Sequence, residues 1–193
     1  DCPVKRAVSP EVICRLMTDR KPLPGKLAFS RDLFVLLFLL RGMPFVDLAF
    51  LRRCDLQGNV ITYHRRKTSR KLTVVVGKEA MEIIQKYMYA IPDSPYLFPI
   101  IQNPGKDEYG QYARMLRLQN YRLTQVANIL GIRDRLSTYT ARHTWATTAL
   151  RQNYNSSLIC DAMGHSSVKV TETYFQPYRD CLLYTSPSPR DCS

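Results

Sequence analysis

The sequence predicts an α+β chain, mainly α, in which helices carry a small antiparallel β-sheet or hairpin. Three observations predict it. Helix start and stop signals recur along the chain, from Ser9 ahead of Pro10 to Gly131 after a long helical stretch. Only "NVITYHRRKTSRKLTVVV", residues 59–76, sets two β-branched runs around a polar, basic centre, which reads as a hairpin. The 193 residues, 45% hydrophobic and 23% charged, suffice for one soluble domain with a sizeable core, or a domain plus a short extension.

Residues 1–8 form a short basic lead-in. "SPEVICRLMT" offers Ser9 as N-cap and Pro10 at the first helical position, and "RKPLPGK" breaks that helix. A mostly apolar helix is expected over 30–41, central to the core. Gly42 and Pro44 interrupt it, and "FVDLAFLRRCD" resumes with Val46, Leu48, Ala49 and Leu51 as apolar positions. After the hairpin, "KEAMEIIQKYM" is helical and "IPDSPYLFPIIQNPG" is a proline-rich loop. A longer helical region, whole or broken, covers 108–130 and ends at Gly131. Three more helices are expected at 139–152, 156–163 and 168–175. No internal repeat is present.

The net charge of +12 favours a polyanionic partner, of which nucleic acid is the usual one; a merely basic surface is the alternative. Six cysteines, at 2, 14, 54, 160, 181 and 192, form no CxxC pair and no zinc-spaced cluster, and so fit a reducing cytosol. No metal or cofactor is expected. The apolar run from Leu33 to Leu40 is too short to cross a bilayer, and the proline-broken N-terminus lacks a signal-peptide core.

The chemistry centres on two stretches, "YTARHTWATTAL" at 139–150 and "MGHSSVKVTETYF" at 163–175. A tyrosine phenol, with a pKa of about 10, is a poor nucleophile until cations gather around it. A phosphodiester target also needs its non-bridging oxygens neutralised, which the planar fork of arginine does well. Arg142, His165 and Tyr174 supply such a set: "ARHTW", then "MGH" at a helix end, then a tyrosine nine residues after the histidine.

These segments resemble the catalytic domain of the tyrosine recombinases, the phage-integrase family, over about residues 22–180. The resemblance implies that Tyr174 attacks the scissile phosphate, with Arg142 and His165 stabilising the charge. It also implies a hairpin lysine that protonates the departing 5′ oxygen. "YHRRKTSRKLTV" places Lys67 there, with Arg66, Arg70 and Lys71 as competitors that could instead grip backbone phosphates.

Two positions depart from the family pattern. Pro44 occupies the slot of the family's first arginine. Arg41 lies three residues earlier, so a continuing helix would put both on one face; a plain helix-terminal charge is the alternative, and Arg52 and Arg53 are further candidates. Tyr139 stands where the family commonly has histidine, either donating to a phosphate oxygen or packing. Together with "RGMPFVDLAFL" and "ARHTWAT", these departures resemble integrases of Bacteroides-type conjugative transposons. His143 reads as supporting the site or packing, His64 as surface, and Trp145 as core.

The resemblance implies site-specific cleavage and rejoining of double-stranded DNA through a 3′-phosphotyrosyl link, by a homotetramer on two DNA sites, in the bacterial cytoplasm at the nucleoid. On this reading residues 1–20 are a linker and lead-in helix following a separate DNA-binding domain, and 21–180 are the catalytic domain. A decayed integrase that grips DNA without cutting, a type IB topoisomerase and an unrelated basic helical regulator are the alternatives. The tail 181–193 stands apart: "CLLYTSPSPRD" resembles a translated sequencing adapter, with a natural Ser/Pro-rich tail as the alternative.

Overall fold

The apolar run in the first quarter of the chain becomes the central helix of a computed structural model that describes residues 7–165 and 167. This helix, α2 (Gly25–Leu39), buries Leu33, Phe34, Leu36 and Leu37 completely. A helix apolar on every side must be surrounded, and α2 packs against neighbours before and after it in sequence. It starts five residues before the expected position, with Pro24 at the N-cap, and Ser30 is a buried interior residue. It stops at Leu39 because Arg41 and Gly42 both adopt left-handed backbone, with φ of 59° and 67°.

Before α2, α1 (Pro10–Thr18) lays Ile13 and Leu16 on the core. The Arg15 guanidinium of α1 donates to the Leu130 carbonyl. After α2 come the short α3 (Phe45–Ala49) and a 3₁₀ turn at Arg53–Asp55. Strands β1 (Leu56–Gln57), β2 (Val60–His64) and β3 (Lys71–Val75) follow, paired antiparallel in the order β1-β2-β3. The expected hairpin is thus the larger part of a three-stranded sheet. Its register sets Ile61 opposite Val74 and Tyr63 opposite Leu72, so these four side chains form the buried face.

Helix α4 (Lys78–Tyr87) brings Lys86 and Tyr87 to the buried Asp32 of α2, each 2.7 Å from the carboxylate. Burial alone would raise the Asp32 pKa, but these bonds and that from Arg31 prevail and lower it. The proline-rich loop expected next is loop in form, yet Leu97, Phe98, Ile100 and Ile101 are buried in the core. Helix α5 (Glu108–Leu130) is unbroken, capped by the Asp107 carboxylate and ended by Gly131 at φ 63°. Its buried Gln119 donates to the Ser30 carbonyl of α2 at 2.8 Å.

Helices α6 (Thr138–Arg151) and α7 (Ser156–Met163) complete the described chain, with N-caps Ser137 and Asn155. The mainly helical architecture with a small antiparallel sheet is the one the sequence predicts. The helix expected at 168–175, Tyr174 and the tail 181–193 lie outside the described residues. Among the described residues no helix is long and apolar enough to cross a membrane.

Candidate active site

Three elements converge on one buried cluster: α6 with Arg142, the turn after α7 with His165, and the β2–β3 connection. Arg142 sits on the inner face of α6 and is only 4% exposed. Its guanidinium donates to the carbonyls of Gly42 and, at 2.8 Å, of Met163. Its Nη2 also lies 2.8 Å from His165 Nε2. Residues 23 positions apart in sequence are therefore in direct contact. Gly42 is needed here, since a Cβ at that position would lie 3.2 Å from the Arg142 Cα and its φ is left-handed.

His165 reaches the pocket because Gly164 ends α7 in left-handed backbone at φ 63°. A Cβ on Gly164 would meet Leu72 Cδ1 at 2.8 Å and Arg65 Cδ at 3.1 Å, so the sheet packs directly on this turn. His165 is 4% exposed. Burial first, then the positive charges of Arg142, Arg65 and Lys67, push its pKa from the ordinary 6.5 down to about 3. The imidazole is therefore neutral, and its Nε2 accepts from Arg142.

The β2–β3 connection is fastened to the same turn. Arg65 donates to the Gly164 carbonyl, and Thr68 reaches that carbonyl at 3.4 Å. Arg70 bonds the His165 carbonyl at 3.3 Å and the Asp161 carboxylate at 3.0 Å. Asp47 of α3 holds the connection from the other side, its Oδ1 accepting from the Arg66 backbone N–H at 2.9 Å. Asp47 is 3% exposed. Burial raises its carboxyl pKa, against the pull of that bond and of Arg65, Arg142 and Arg66.

The sequence candidates divide accordingly. Arg142 and His165 meet, and Lys67 lies in the connection, exposed and close enough for its charge to act on His165. Tyr139 is on the first turn of α6, half exposed, with its ring edge-on to His143 at 4.5 Å. His143 is buried, His64 is exposed, and Trp145 packs half-buried beside Ala146 and Ile159.

Arg41 does not join this group. Because α2 ends before it, Arg41 and Pro44 share no helical face, and Arg41 lines a neighbouring apolar groove with Trp145 and Leu158. Arg53 spends its guanidinium on the carbonyls of Met88, Ile91 and Pro92. Arg52 is exposed. Two members of the pocket escaped the sequence reading, Asp47 and Arg65. A period-2 signal marks Arg65: Ile61, Tyr63 and Arg65 alternate onto the buried face of β2, while Thr62, His64 and Arg66 do not.

The family model described as "Phage integrase family" matches residues 7–180. The tyrosine recombinase XerC of Thermodesulfovibrio yellowstonii is 26% identical over 167 residues, which are 79% of this chain and 52% of that protein. The chain thus spans about half the length of this curated relative. Among solved structures, the XerA recombinase superposes with a TM-score of 0.66 at 20% identity, over 97% of this chain and 67% of its own. XerH bound to its difH substrate in a pre-cleavage complex gives 0.65 at 16%, over 95% and 54%. The Tn1549 transposon integrase in complex with a circular intermediate DNA gives 0.63 at 17%, over 95% and 67%.

Proposed function

Because the chain belongs to the phage integrase family, we propose that it is a DNA strand transferase that cleaves and rejoins double-stranded DNA through a 3′-phosphotyrosyl intermediate. The observation that carries this is the contact between Arg142 and the neutral His165 inside a buried, cation-rich pocket. The same buried site that keeps the imidazole neutral, by desolvation first and by its cations second, favours an anion, and a phosphodiester supplies one. Tyr174 Oη bonds to phosphorus and gives up its proton to water, while the bond to the 5′ oxygen breaks. Lys67, on the exposed connection beside the pocket, gives a proton to that oxygen. Arg142 and His165 face the charge that develops on the phosphorane. The free 5′ hydroxyl of a partner strand reverses the sequence.

The structural relatives solved in complex with DNA and the net charge of +12 support duplex DNA as the partner. On this reading the chain is an integrase of the Bacteroides conjugative-transposon type, which the resemblance around Pro44 and Tyr139 supports. The full assembly is a homotetramer on two sites in the bacterial cytoplasm, and the tail after residue 180 is translated adapter.

The test is a pool of nicked duplexes of randomised sequence, from which covalently attached strands are recovered on denaturing gels. The parent chain traps strands, and Tyr174→Phe traps none while binding the same duplexes with unchanged salt dependence. Pro44, which puts no cation in its slot, favours a second reading in which the chain binds DNA without cutting. A parent that binds but traps no strand would establish that reading instead.

A further inference from the structure

We propose that Arg65 is a phosphate-binding catalytic residue, the second guanidinium of the pocket. The inference rests on the strand-transfer reading and names a residue that reading leaves out. A phosphorane carries charge on two non-bridging oxygens, and one fork cannot satisfy both while also bonding protein carbonyls. Arg142 is partly committed to Gly42, Met163 and His165. A second cation has to come from somewhere near the turn 163–165.

The other arginines near the pocket are engaged elsewhere. Arg53 holds three carbonyls of the loop after α4. Arg66 lies over the Phe50 ring at 3.8 Å. Arg70 is paired with Asp161, and Arg41 lines the apolar groove. Arg65 alone combines three properties. It is 7% exposed, as buried as its prospective partners Arg142 and His165. It binds the Gly164 carbonyl, the next one along from the Met163 carbonyl that Arg142 binds. Its Nε is buried with no acceptor at all.

A buried guanidinium with an unused N–H is costly unless something offsets it. The buried carboxylate of Asp47 interacts in charge with both Arg65 and Arg142. Yet Asp47 Oδ2 is also without a partner, so the two buried groups balance in charge without closing a hydrogen bond. The Nε edge of Arg65 is left for an anion. Pro44 stands three residues before Asp47 at the start of α3, two residues from the carbonyl that Arg142 holds. Pro44 thus lies, in the chain, between the carbonyl that Arg142 holds and the carboxylate whose field acts on Arg65.

The experiment uses duplexes recovered by the parent chain, with either an ordinary scissile phosphate or a methylphosphonate at that position. Methylphosphonate replaces one charged non-bridging oxygen by a neutral methyl group, so it relieves the need for the cation that neutralised that oxygen. Arg65→Ala should slow adduct formation by about a hundredfold or more on the ordinary duplex, the usual effect of removing one transition-state donor. The methylphosphonate duplex should recover most of that loss, and Pro44→Arg in the Arg65→Ala background should recover part of it on ordinary DNA. A purely architectural role predicts a variant equally slow on both duplexes, and that result overturns the assignment. So does an Arg65→Ala chain that traps strands within about threefold of the parent. A parent that traps no strand overturns the strand-transfer reading, and this inference with it.

Discussion

At the scale of single residues, the pocket is governed by which groups are allowed to carry charge. His165 is neutral because burial and three neighbouring cations oppose its protonation. The sign of the resulting pH dependence follows. The unfolded chain takes up a proton at this histidine near the ordinary 6.5, and the folded chain only near pH about 3. Stability contributed by neutral His165 is therefore complete above pH 6.5 and is lost as the pH falls through that window. At about pH 5 the loss amounts to about 2 kcal/mol. Urea midpoints of the parent should fall between neutral pH and pH 5 by clearly more than those of His165→Gln, which keeps an acceptor for Arg142 but does not titrate. Equal falls in the two chains would mean that His165 takes up its proton in the folded chain near the ordinary 6.5, as it does in the unfolded one. Arg142 and His165 were legible in the sequence because each sits in a short motif with chemistry of its own. Arg65 was hidden by its company: in "YHRRKTSRK" five of the nine residues are arginine or lysine, and only strand parity separates the buried arginine from the exposed ones.

At the scale of elements, the β2–β3 connection acts as a bridge between α3 and the turn after α7. Four side chains hold it: Asp47 from below, and Arg65, Thr68 and Arg70 reaching to residues 161–165. Lys67 sits in the middle of this span, so its position depends on both ends. Asp47 lies in a site that disfavours its charged form, as its raised pKa states. A neutral acceptor of the same shape should therefore serve nearly as well. Asp47→Asn is expected to cost under about 1 kcal/mol, whereas Asp47→Ala also leaves the Arg66 N–H without its acceptor and costs about 1–3 kcal/mol. Hydrogen exchange at residues 65–70 should rise in Asp47→Ala and stay near the parent in Asp47→Asn; exchange unchanged in both would show that Asp47 does not anchor the connection. The elements were largely readable because helix caps and β-branched runs are local signals. Two features escaped these local signals for non-local reasons. The start of α2 moved to Gly25 because tertiary packing extends the helix through residues without a capping signal of their own. The proline-rich stretch is loop, as read, but its prolines gave no sign that the apolar side chains at 97–101 close the core beside Leu51 and Phe50.

At the scale of the whole molecule, charge is divided between a buried set and an exposed set, and the two should respond differently to salt. Arg65 and Arg142 are buried and fixed by carbonyls, whereas Lys67, Lys71, Arg66 and Arg70 stand exposed on the connection and the end of β3. Exposed cations bind duplex phosphates by releasing condensed counterions, which gives a logarithmic affinity that falls linearly with the logarithm of salt, by about 0.9 per phosphate engaged. Lys71 has its side chain on the outer face of β3, opposite His64, and is free of the fastening bonds that hold Arg65 and Arg70. Lys71→Gln should therefore lower affinity for every duplex by a similar factor and reduce the steepness of the salt plot by about one contact. It should leave the rate of adduct formation at saturating DNA close to that of the parent, because Lys71 touches no group of the pocket. Fluorescence anisotropy across a salt series reads the first effect and single-turnover trapping the second. A salt plot as steep as the parent's would remove this face of the sheet from the DNA path. A trapping rate that falls with unchanged affinity would instead move the general acid from Lys67 to Lys71, since only one lysine on this connection can sit beside the departing oxygen.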